Sequence, residues 1–268
     1  MLINSQALTH WIDHFYGYGS WKAPIWFVGF EESGGDLPEE VADKLNHFTS
    51  EYEDSSGPTL CDIRKLYKDV AFRIEGPRAE RYSNFFDHRF GDGAVLHGLW
   101  KNLIAFVHGF RNEPVPDLLS YQCNQFLSPE KPSEALIQLY PLPAHNHAWY
   151  YSWLDLPDLP FLKSRTRYEQ HVYPSRINRI LKNIREQKPE VVLMFGMRDI
   201  NSIKENVRVV FPSVKFTMVK AFKHHIPQHH RAELDGTKLL LTTQIPALRH
   251  NRKETGFDWE AVGRTLTH

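Results

Sequence analysis

Residues 25–35 read IWFVGFEESGG, an apolar run that ends at a glycine and leads two carboxylates into a glycine-rich turn. The run is bounded by Pro24 and Gly29, which is typical of a buried β-strand. Glycines after such a strand let backbone N–H groups approach a ligand closely. Because open α/β sheets bind ligands at the carboxyl ends of their strands, this turn is the first candidate for a functional site. A solvated acidic loop is the simpler alternative.

Four further apolar runs extend the predicted sheet. They lie near residues 135, 190, 215 and 240 and are separated by segments of helical pattern. The clearest run, at 191–196, is uniformly apolar, as expected for a parallel strand that is buried on both faces. Strands that alternate with helices predict a single α/β domain over residues 1–268, with a mostly parallel central sheet and helices on both faces.

Helical spacing of apolar residues predicts an amphipathic helix over residues 2–18, a largely helical region over 36–90 and a buried helix over 97–110. A fourth predicted helix, Tyr168–Gln187, carries a basic face. That face either is solvated or follows a DNA backbone, and it consists of Arg176, Arg179, Lys182 and Arg185.

Composition limits the class of protein. The chain has 268 residues, and its 32 Lys and Arg equal its 32 Asp and Glu, so the net charge does not indicate a partner. Its two cysteines are far apart in the sequence and do not form a CxxC metal pair. The amino terminus lacks a basic segment followed by a long apolar stretch, and we expect a cytoplasmic protein without a membrane segment. Neither a cofactor nor a metal is expected. The histidine-rich tract 223–230 lacks HExxH spacing and is predicted to be a loop near phosphates.

The order of these motifs resembles the uracil-DNA glycosylase superfamily. Its members have a glycine-led loop that activates water, a strand whose Asn reads the flipped base, an apolar strand that ends in Gly, and a last loop of His-Pro-Ser type that pinches the DNA. The segments of this chain that match, in the same order, are Gly29–Ser33, Gln138–Leu142, Val191–Gly196 and Thr242–His250. The second segment is close in form to the Asn-x-Cys-Pro-Leu of the single-strand-selective branch, and the resemblance implies a three-layer fold.

The resemblance implies roles for individual residues. Glu31, with Glu32 as the competing candidate, would orient the attacking water and stabilise a cationic sugar. Gln138 stands in place of the base-reading Asn, and Gln244 in place of the family's His. Gln244 or His250 would then have to donate a hydrogen bond to the leaving base.

Other positions would shape the pocket and hold DNA. Gly29, Phe30 and Tyr140 belong to the matching segments and would contribute backbone contacts or pocket walls. Ser33 replaces an aromatic residue that excludes a 5-methyl group in the uracil-specific branch, which leaves room for a substituent at C5. Leu248 would fill the gap left by a flipped base or belong to the core, and Arg249 would grip the strand.

An aromatic stretch at 149–153 either stacks on a base or folds back as a packed loop.

Taken together, the motifs and the resemblance predict a monomeric DNA glycosylase that acts on a 5-substituted pyrimidine in single- or double-stranded DNA and leaves an abasic site. A hydroxymethylated or glucosylated cytosine would suit antiviral defence, and a damaged pyrimidine would suit base-excision repair. Two alternatives stay open: a catalytically inactive reader of modified DNA, and an unrelated α/β hydrolase that acts on small nucleosides.

Overall fold

The computed structural model describes residues 3–32, 34–35, 37–70, 85–144, 149–222, 225–247 and 256–267. Within these ranges the chain forms one α/β domain with an eight-stranded sheet and nine α-helices, around one cluster of buried apolar side chains. The predicted fold class is confirmed at this level. None of the helices in these ranges combines the length and the apolar composition that crossing a membrane requires.

The strands are β1 (Phe15–Tyr18), β2 (Ile25–Glu31), β3 (Thr59–Cys61), β4 (Glu134–Tyr140), β5 (Val191–Phe195), β6 (Thr217–Val219), β7 (His229–Leu234) and β8 (Thr237–Leu241). The helices are α1 (Ser5–His14), α2 (Pro38–Glu51), α3 (Ile63–Asp69), α4 (Phe85–Phe90), α5 (Trp100–Arg111), α6 (Leu118–Asn124), α7 (Arg165–Gln187), α8 (Ile200–Val210) and α9 (Trp259–Arg264). Two short 3₁₀ helices, Tyr150–Trp153 and Pro160–Lys163, precede α7.

The strand order in the sheet is β3-β1-β4-β2-β5-β8-β7-β6. The central strands β4, β2, β5 and β8 are parallel to one another, whereas β1, β7 and β6 add antiparallel pairs toward the edges. The chain passes from β2 to β4 on one side of β2 and later to β5 on its other side. This reversal is a topological switch point, and ligands of open α/β sheets bind outside the carboxyl ends of the strands at such points.

The helix predicted over residues 2–18 is too long. Helix α1 ends at His14, and the following four residues form β1, which pairs with both β3 and β4. The segment reads Phe-Tyr-Gly-Tyr, and aromatic residues favour a buried strand. Gly17 has a φ of 131° and lies so close to the Leu136 carbonyl that a side chain there would collide with it. Tertiary packing therefore outweighs the helical spacing.

Two other predictions are wrong for some of their residues. Residues 223 and 224 of the histidine-rich tract lie outside the described residues, and Arg179, Lys182 and Arg185 of the basic face are exposed as expected of a surface. Residues 229–230, which were expected in a loop near phosphates, belong to β7. His229 is buried there, and its Nδ1 donates a hydrogen bond to the Pro227 carbonyl at 2.7 Å. Arg176 was predicted on a solvated or DNA-facing surface, but it is 1 % exposed. Its guanidinium donates hydrogen bonds to the carbonyls of Phe15, Gln138 and Leu139, which fastens β1 and β4 together.

Candidate functional site

The candidate site lies where the central parallel strands end. Glu31 is the last residue of β2 and is paired in register with Tyr140, the last residue of β4. Beyond β5 and β8, the Gly196 N–H donates a hydrogen bond to the Gln244 carbonyl at 3.0 Å. The described parts of the four matching segments therefore lie at one edge of the sheet, around the switch point at β2.

Gln138 contributes a buried amide beside β2. It is 3 % exposed, and its Oε1 has no hydrogen-bond partner among the described residues. A Cβ added to Gly29 would lie 3.1 Å from this oxygen and 3.1 Å from the Phe195 ring, so the glycine makes room for both side chains. Buried amide oxygens in folded proteins nearly always accept a hydrogen bond. An unpartnered one at a ligand-binding edge is therefore available to a ligand.

Glu31 is part of a network of ion pairs that is partly exposed to solvent. Its Oε2 accepts a hydrogen bond from Arg165 Nη2, and the two side chains are 20 % and 21 % exposed. Arg165 Nε also donates to Glu169 Oε1 at 2.9 Å, and the same oxygen accepts from Arg198 Nη1 at 3.2 Å. Ser164 caps the first turn of α7 and thereby positions Arg165. Helix α7 thus brings a cation to the end of β2.

The pKa of Glu31 is raised from its ordinary value of 4.5. Burial of the carboxyl group is the largest cause, and the hydrogen bond and charge of Arg165 lower the pKa without offsetting burial completely. The carboxylate that results is a stronger base than a solvated one. No hydrogen bond from the described residues reaches its other oxygen, Oε1, which leaves that atom free to hold a water molecule.

Phe30 and Tyr140 form an aromatic wall beside Glu31. Their ring centroids are 4.7 Å apart, and the Arg198 guanidinium lies 4.2 Å from the Phe30 ring centroid. Burial raises the pKa of Tyr140, so its hydroxyl stays protonated near neutral pH. Next to this wall, Gly196 has a φ of 68° and packs against Ile245, which draws the segment after β8 toward β5. The predicted proximity of Phe30, Tyr140 and the Gln244 segment is thus observed.

Glu32 lies in a separate, buried cluster. Its Oε1 accepts a hydrogen bond from Lys44 Nζ at 3.2 Å, and its Oε2 accepts one from the Tyr18 hydroxyl at 3.0 Å. Lys44 also pairs with Glu40 at 3.0 Å, and the side chains of Lys44 and Glu40 are each 2 % exposed. The two carboxylates raise the pKa of Lys44 against the opposing effect of burial. Both oxygens of Glu32 are therefore already engaged.

The glycines after Glu32 pack against the same cluster and against the turn that follows β4. Gly34 has a φ of 141°, and a Cβ there would lie 3.0 Å from Glu40 Oε1. Gly35 has a φ of 70° and touches Pro143, whose carbonyl accepts a hydrogen bond from the Tyr151 hydroxyl at 3.0 Å. These contacts fix the path of the chain at residues 34–35.

The aromatic stretch before α7 is mostly part of the core. Trp149 donates a hydrogen bond to the Leu162 carbonyl at 2.7 Å, and Tyr150 and Tyr151 are buried and stacked on each other at 4.4 Å. Trp153 differs, because it is 84 % exposed. Of the two interpretations, the packed loop fits Trp149, Tyr150 and Tyr151, and only Trp153 is free to stack on a base.

Four predicted site residues, Ser33, Leu248, Arg249 and His250, lie outside the described residues. The sequence analysis did not identify Arg165, Arg198 or Lys44 as neighbours of the site. The position of Arg165 at the start of a helix is weakly indicated by the capping residue Ser164 before it. Its pairing with Glu31 spans 134 positions and depends on the tertiary fold. Across the described ranges, no three His, Cys, Asp or Glu side chains are grouped to hold a metal ion.

In comparisons with known proteins, no family model, no curated protein and no solved structure matches this chain. The fold and the geometry at the strand ends therefore carry the functional argument.

Proposed function

We propose that this protein is a DNA glycosylase of the uracil-DNA glycosylase-like type, which removes a flipped-out, 5-substituted pyrimidine. The observation that carries the proposal is the combination of two side chains on neighbouring parallel strands: Gln138, a buried amide whose Oε1 has no hydrogen-bond partner among the described residues, and Glu31, a carboxylate of raised pKa. Gly29 is in register with Gln138, and Glu31 lies two residues further along β2, about 6.6 Å toward the open edge. We assign the amide to the base and the carboxylate to the attached sugar, which would lie further toward the open edge.

Glu31 is the residue that we assign to the chemistry, and Glu32 is assigned to the support of the loop. Among the described residues, none donates a hydrogen bond to the second oxygen of Glu31, whereas Lys44 and Tyr18 occupy both oxygens of Glu32. Arg165 favours the ionised form of Glu31, because its charge and hydrogen bond lower the pKa against the effect of burial, and it holds the orientation of the carboxylate. The part of this side chain that remains exposed gives water access to the carboxylate.

In the proposed reaction, a water molecule held by Glu31 adds its oxygen to C1′ of the deoxyribose. The N-glycosidic bond breaks as the sugar gains cationic character, and its electron pair leaves with the base. The water proton passes to the carboxylate, and the departing base finally takes up one proton, so that free base and an abasic site result. Gln244 follows β8, and its carbonyl accepts a hydrogen bond from the Gly196 N–H at the end of β5. In the proposed reaction its side-chain amide would donate a hydrogen bond to the negatively charged base.

The proposed preference for a 5-substituted pyrimidine rests on the amino-acid sequence of the loop after β2. The position that is aromatic in the uracil-specific branch is Ser33, and glycines follow it. Gly34 and Gly35 both have positive φ values, which bulky residues disfavour, so the loop stays small at this point. We extend the proposal to hydroxymethylated and glucosylated cytosine as substrates, with antiviral defence and base-excision repair as the two possible roles. Trp153 would stack on an unpaired base of the DNA strand.

A catalytically inactive reader of modified DNA is the second candidate. The observation in its favour is the Glu31–Arg165 ion pair, because Arg165 lowers the pKa of the Glu31 carboxyl and so offsets part of the gain in basicity that burial gives. Gln244 in place of the family's His also favours it. The reader would bind modified DNA through Gln138 without releasing the base.

The experiment is to measure abasic-site formation by alkaline strand cleavage on oligonucleotides with uracil, 5-hydroxymethylcytosine or its glucosylated form. Each substrate is presented as a single strand and as a duplex, to wild type, Glu31→Gln and the matched control Glu186→Gln. Glu186 is exposed on α7, far along the helix from Arg165. We expect cleavage of a 5-substituted substrate that Glu31→Gln loses and Glu186→Gln retains.

Three results would contradict parts of the proposal. Binding of modified DNA without cleavage by wild type would establish the reader. Cleavage of uracil in preference to both modified cytosines would refute the open pocket at C5. Release of bases from free nucleosides at a rate that is independent of a DNA strand would instead favour the small-molecule hydrolase.

A further inference from the structure

A cavity of about 450 Å³ lies against α7. Its walls come from α1, the start of β1, the turn before β3, the second 3₁₀ helix and α7, and none of the predicted site residues lines it. Pockets for small ligands and cofactors typically measure about 300–1,000 Å³. The cavity therefore has the size of a ligand site and does not belong to the site proposed for base release.

The charged side chains that line this cavity are mainly cationic. Arg176, Arg179 and Lys182 come from α7, and the single carboxylate is Asp13 of α1. Arg179 and Lys182 are exposed, and neither forms an ion pair with any part of the chain that the structure describes. Their spacing along α7 is that of one helix face, so both charges are directed to the same region.

Arg176 adds a buried positive charge to this cavity. It is 1 % exposed, and no carboxylate among the described residues lies within ion-pair distance of it. Its guanidinium lies 3.5 Å from the Tyr16 ring centroid and donates to three backbone carbonyls, which satisfy its hydrogen bonds but do not neutralise its charge. The charge of Asp13, which lines the same cavity, acts on Arg176 from beyond ion-pair distance and does not offset the effect of burial. A buried cation without an ion-pair partner is costly, and an anion bound in the cavity would reduce that cost.

The remaining walls offer flat aromatic surface. Phe161 and His171 stack with their ring centroids 4.0 Å apart and 12° between their planes, and both line the cavity with Tyr16. Aromatic rings pack well against the planar ring of a ligand. Asp13 can accept hydrogen bonds from ligand amino or hydroxyl groups. The lining thus combines an anion-binding part with a part that suits a ring.

From this arrangement we propose that the cavity binds a small organic phosphate of mononucleotide type. A phosphate monoester carries a charge of about −1.5 to −2 at neutral pH, which matches the excess of cations over the single carboxylate. Its ring would lie near Phe161 and His171. The proposal does not depend on base release at Glu31, because the two sites share no residue.

Isothermal titration calorimetry of the full chain with AMP, UMP, adenosine and inorganic phosphate tests this site. We expect a nucleoside monophosphate to bind, and adenosine to bind about 10-fold more weakly or worse, because a charge-assisted hydrogen bond contributes that much. The double variant Arg179→Gln/Lys182→Gln should weaken AMP binding on the order of 10-fold or more. The matched control Arg167→Gln/Arg185→Gln changes two exposed arginines of α7 that do not line the cavity and should leave binding unchanged.

A second variant keeps the charges and fills the space. Ser175 is exposed and lines the cavity, so Ser175→Trp should block AMP without altering the thermal melting temperature. Glu31→Gln should bind AMP as wild type does, which separates this site from the proposed glycosylase site.

Failure of AMP, UMP and inorganic phosphate to bind to wild type would overturn the proposal. Equal competition by an oligonucleotide without a terminal phosphate would overturn it as well, because the groove would then follow a nucleic-acid backbone.

Discussion

Glu31 and Glu32 are neighbours in the chain, but they occupy opposite environments. Glu31 is partly exposed and pairs with Arg165, the first residue of α7, and its other oxygen has no hydrogen-bond partner among the described residues. Glu32 is 8 % exposed and has both oxygens engaged by Lys44 and Tyr18. Successive side chains of an extended chain point to opposite sides, so one residue step is enough to separate them. The difference indicates that one carboxylate is available for chemistry and the other for holding the loop.

The sharpest test of this contrast is Glu31→Gln, which keeps the size of the side chain and removes its charge. Removal of a general base typically lowers a rate by about 10²–10⁴-fold. We expect base release to fall by that amount, measured as single-turnover cleavage, while the free energy of unfolding changes by no more than about 1 kcal/mol, as for other partly exposed ion pairs. Equal activity of wild type and Glu31→Gln would show that Glu31 is not the catalytic carboxylate and would favour Glu32 in that role.

The next largest effect is expected for Lys44→Met, which acts on the other carboxylate. This change leaves Glu32 and Glu40 buried near each other without a cation. Removing one partner of a buried ion pair typically costs about 3–5 kcal/mol of the free energy of unfolding. Urea denaturation would measure the loss, with Lys65→Met on an exposed position of α3 as the control. A combined Lys44→Met/Glu32→Gln/Glu40→Gln variant should recover part of the stability, and a further loss there would argue against charge as the cause.

Tyr18→Phe removes only one hydrogen bond from the Glu32 cluster. A hydrogen bond to a charged group contributes about 1.5–3 kcal/mol, so we expect a smaller loss of unfolding free energy than for Lys44→Met. Base release per folded molecule should stay close to that of wild type, since Tyr18 contacts Glu32 and not Glu31. Thermal unfolding and single-turnover cleavage together check this prediction. A large loss of activity at unchanged stability would show that the two carboxylates act as one unit.

The sequence predicted the central sheet and its polar edge, because long apolar runs such as 191–195 are specific for buried parallel strands. It failed for β1, where a strand of four residues follows an amphipathic helix without a break. It also failed for Arg176, whose spacing suits a basic surface but whose guanidinium is enclosed by β1 and β4. The pairs Glu31–Arg165 and Glu32–Lys44 could not be predicted, because they join segments whose relative position only the fold defines.

The smallest expected effect is the pH dependence of stability that Glu31 contributes. Burial raises the pKa of this carboxyl group above 4.5 in the folded protein, so the folded state takes up a proton at a higher pH than the unfolded state does. The free energy of unfolding of wild type should therefore rise relative to Glu31→Gln as the pH falls through the raised pKa toward 4.5, and this gain is lost again as the pH rises. Urea denaturation of both proteins between about pH 4 and 7 measures the difference. A difference of opposite sign would mean that Arg165 lowers the pKa of Glu31 by more than burial raises it. Glu31 would then resemble Glu32 as a structural ion-pair partner.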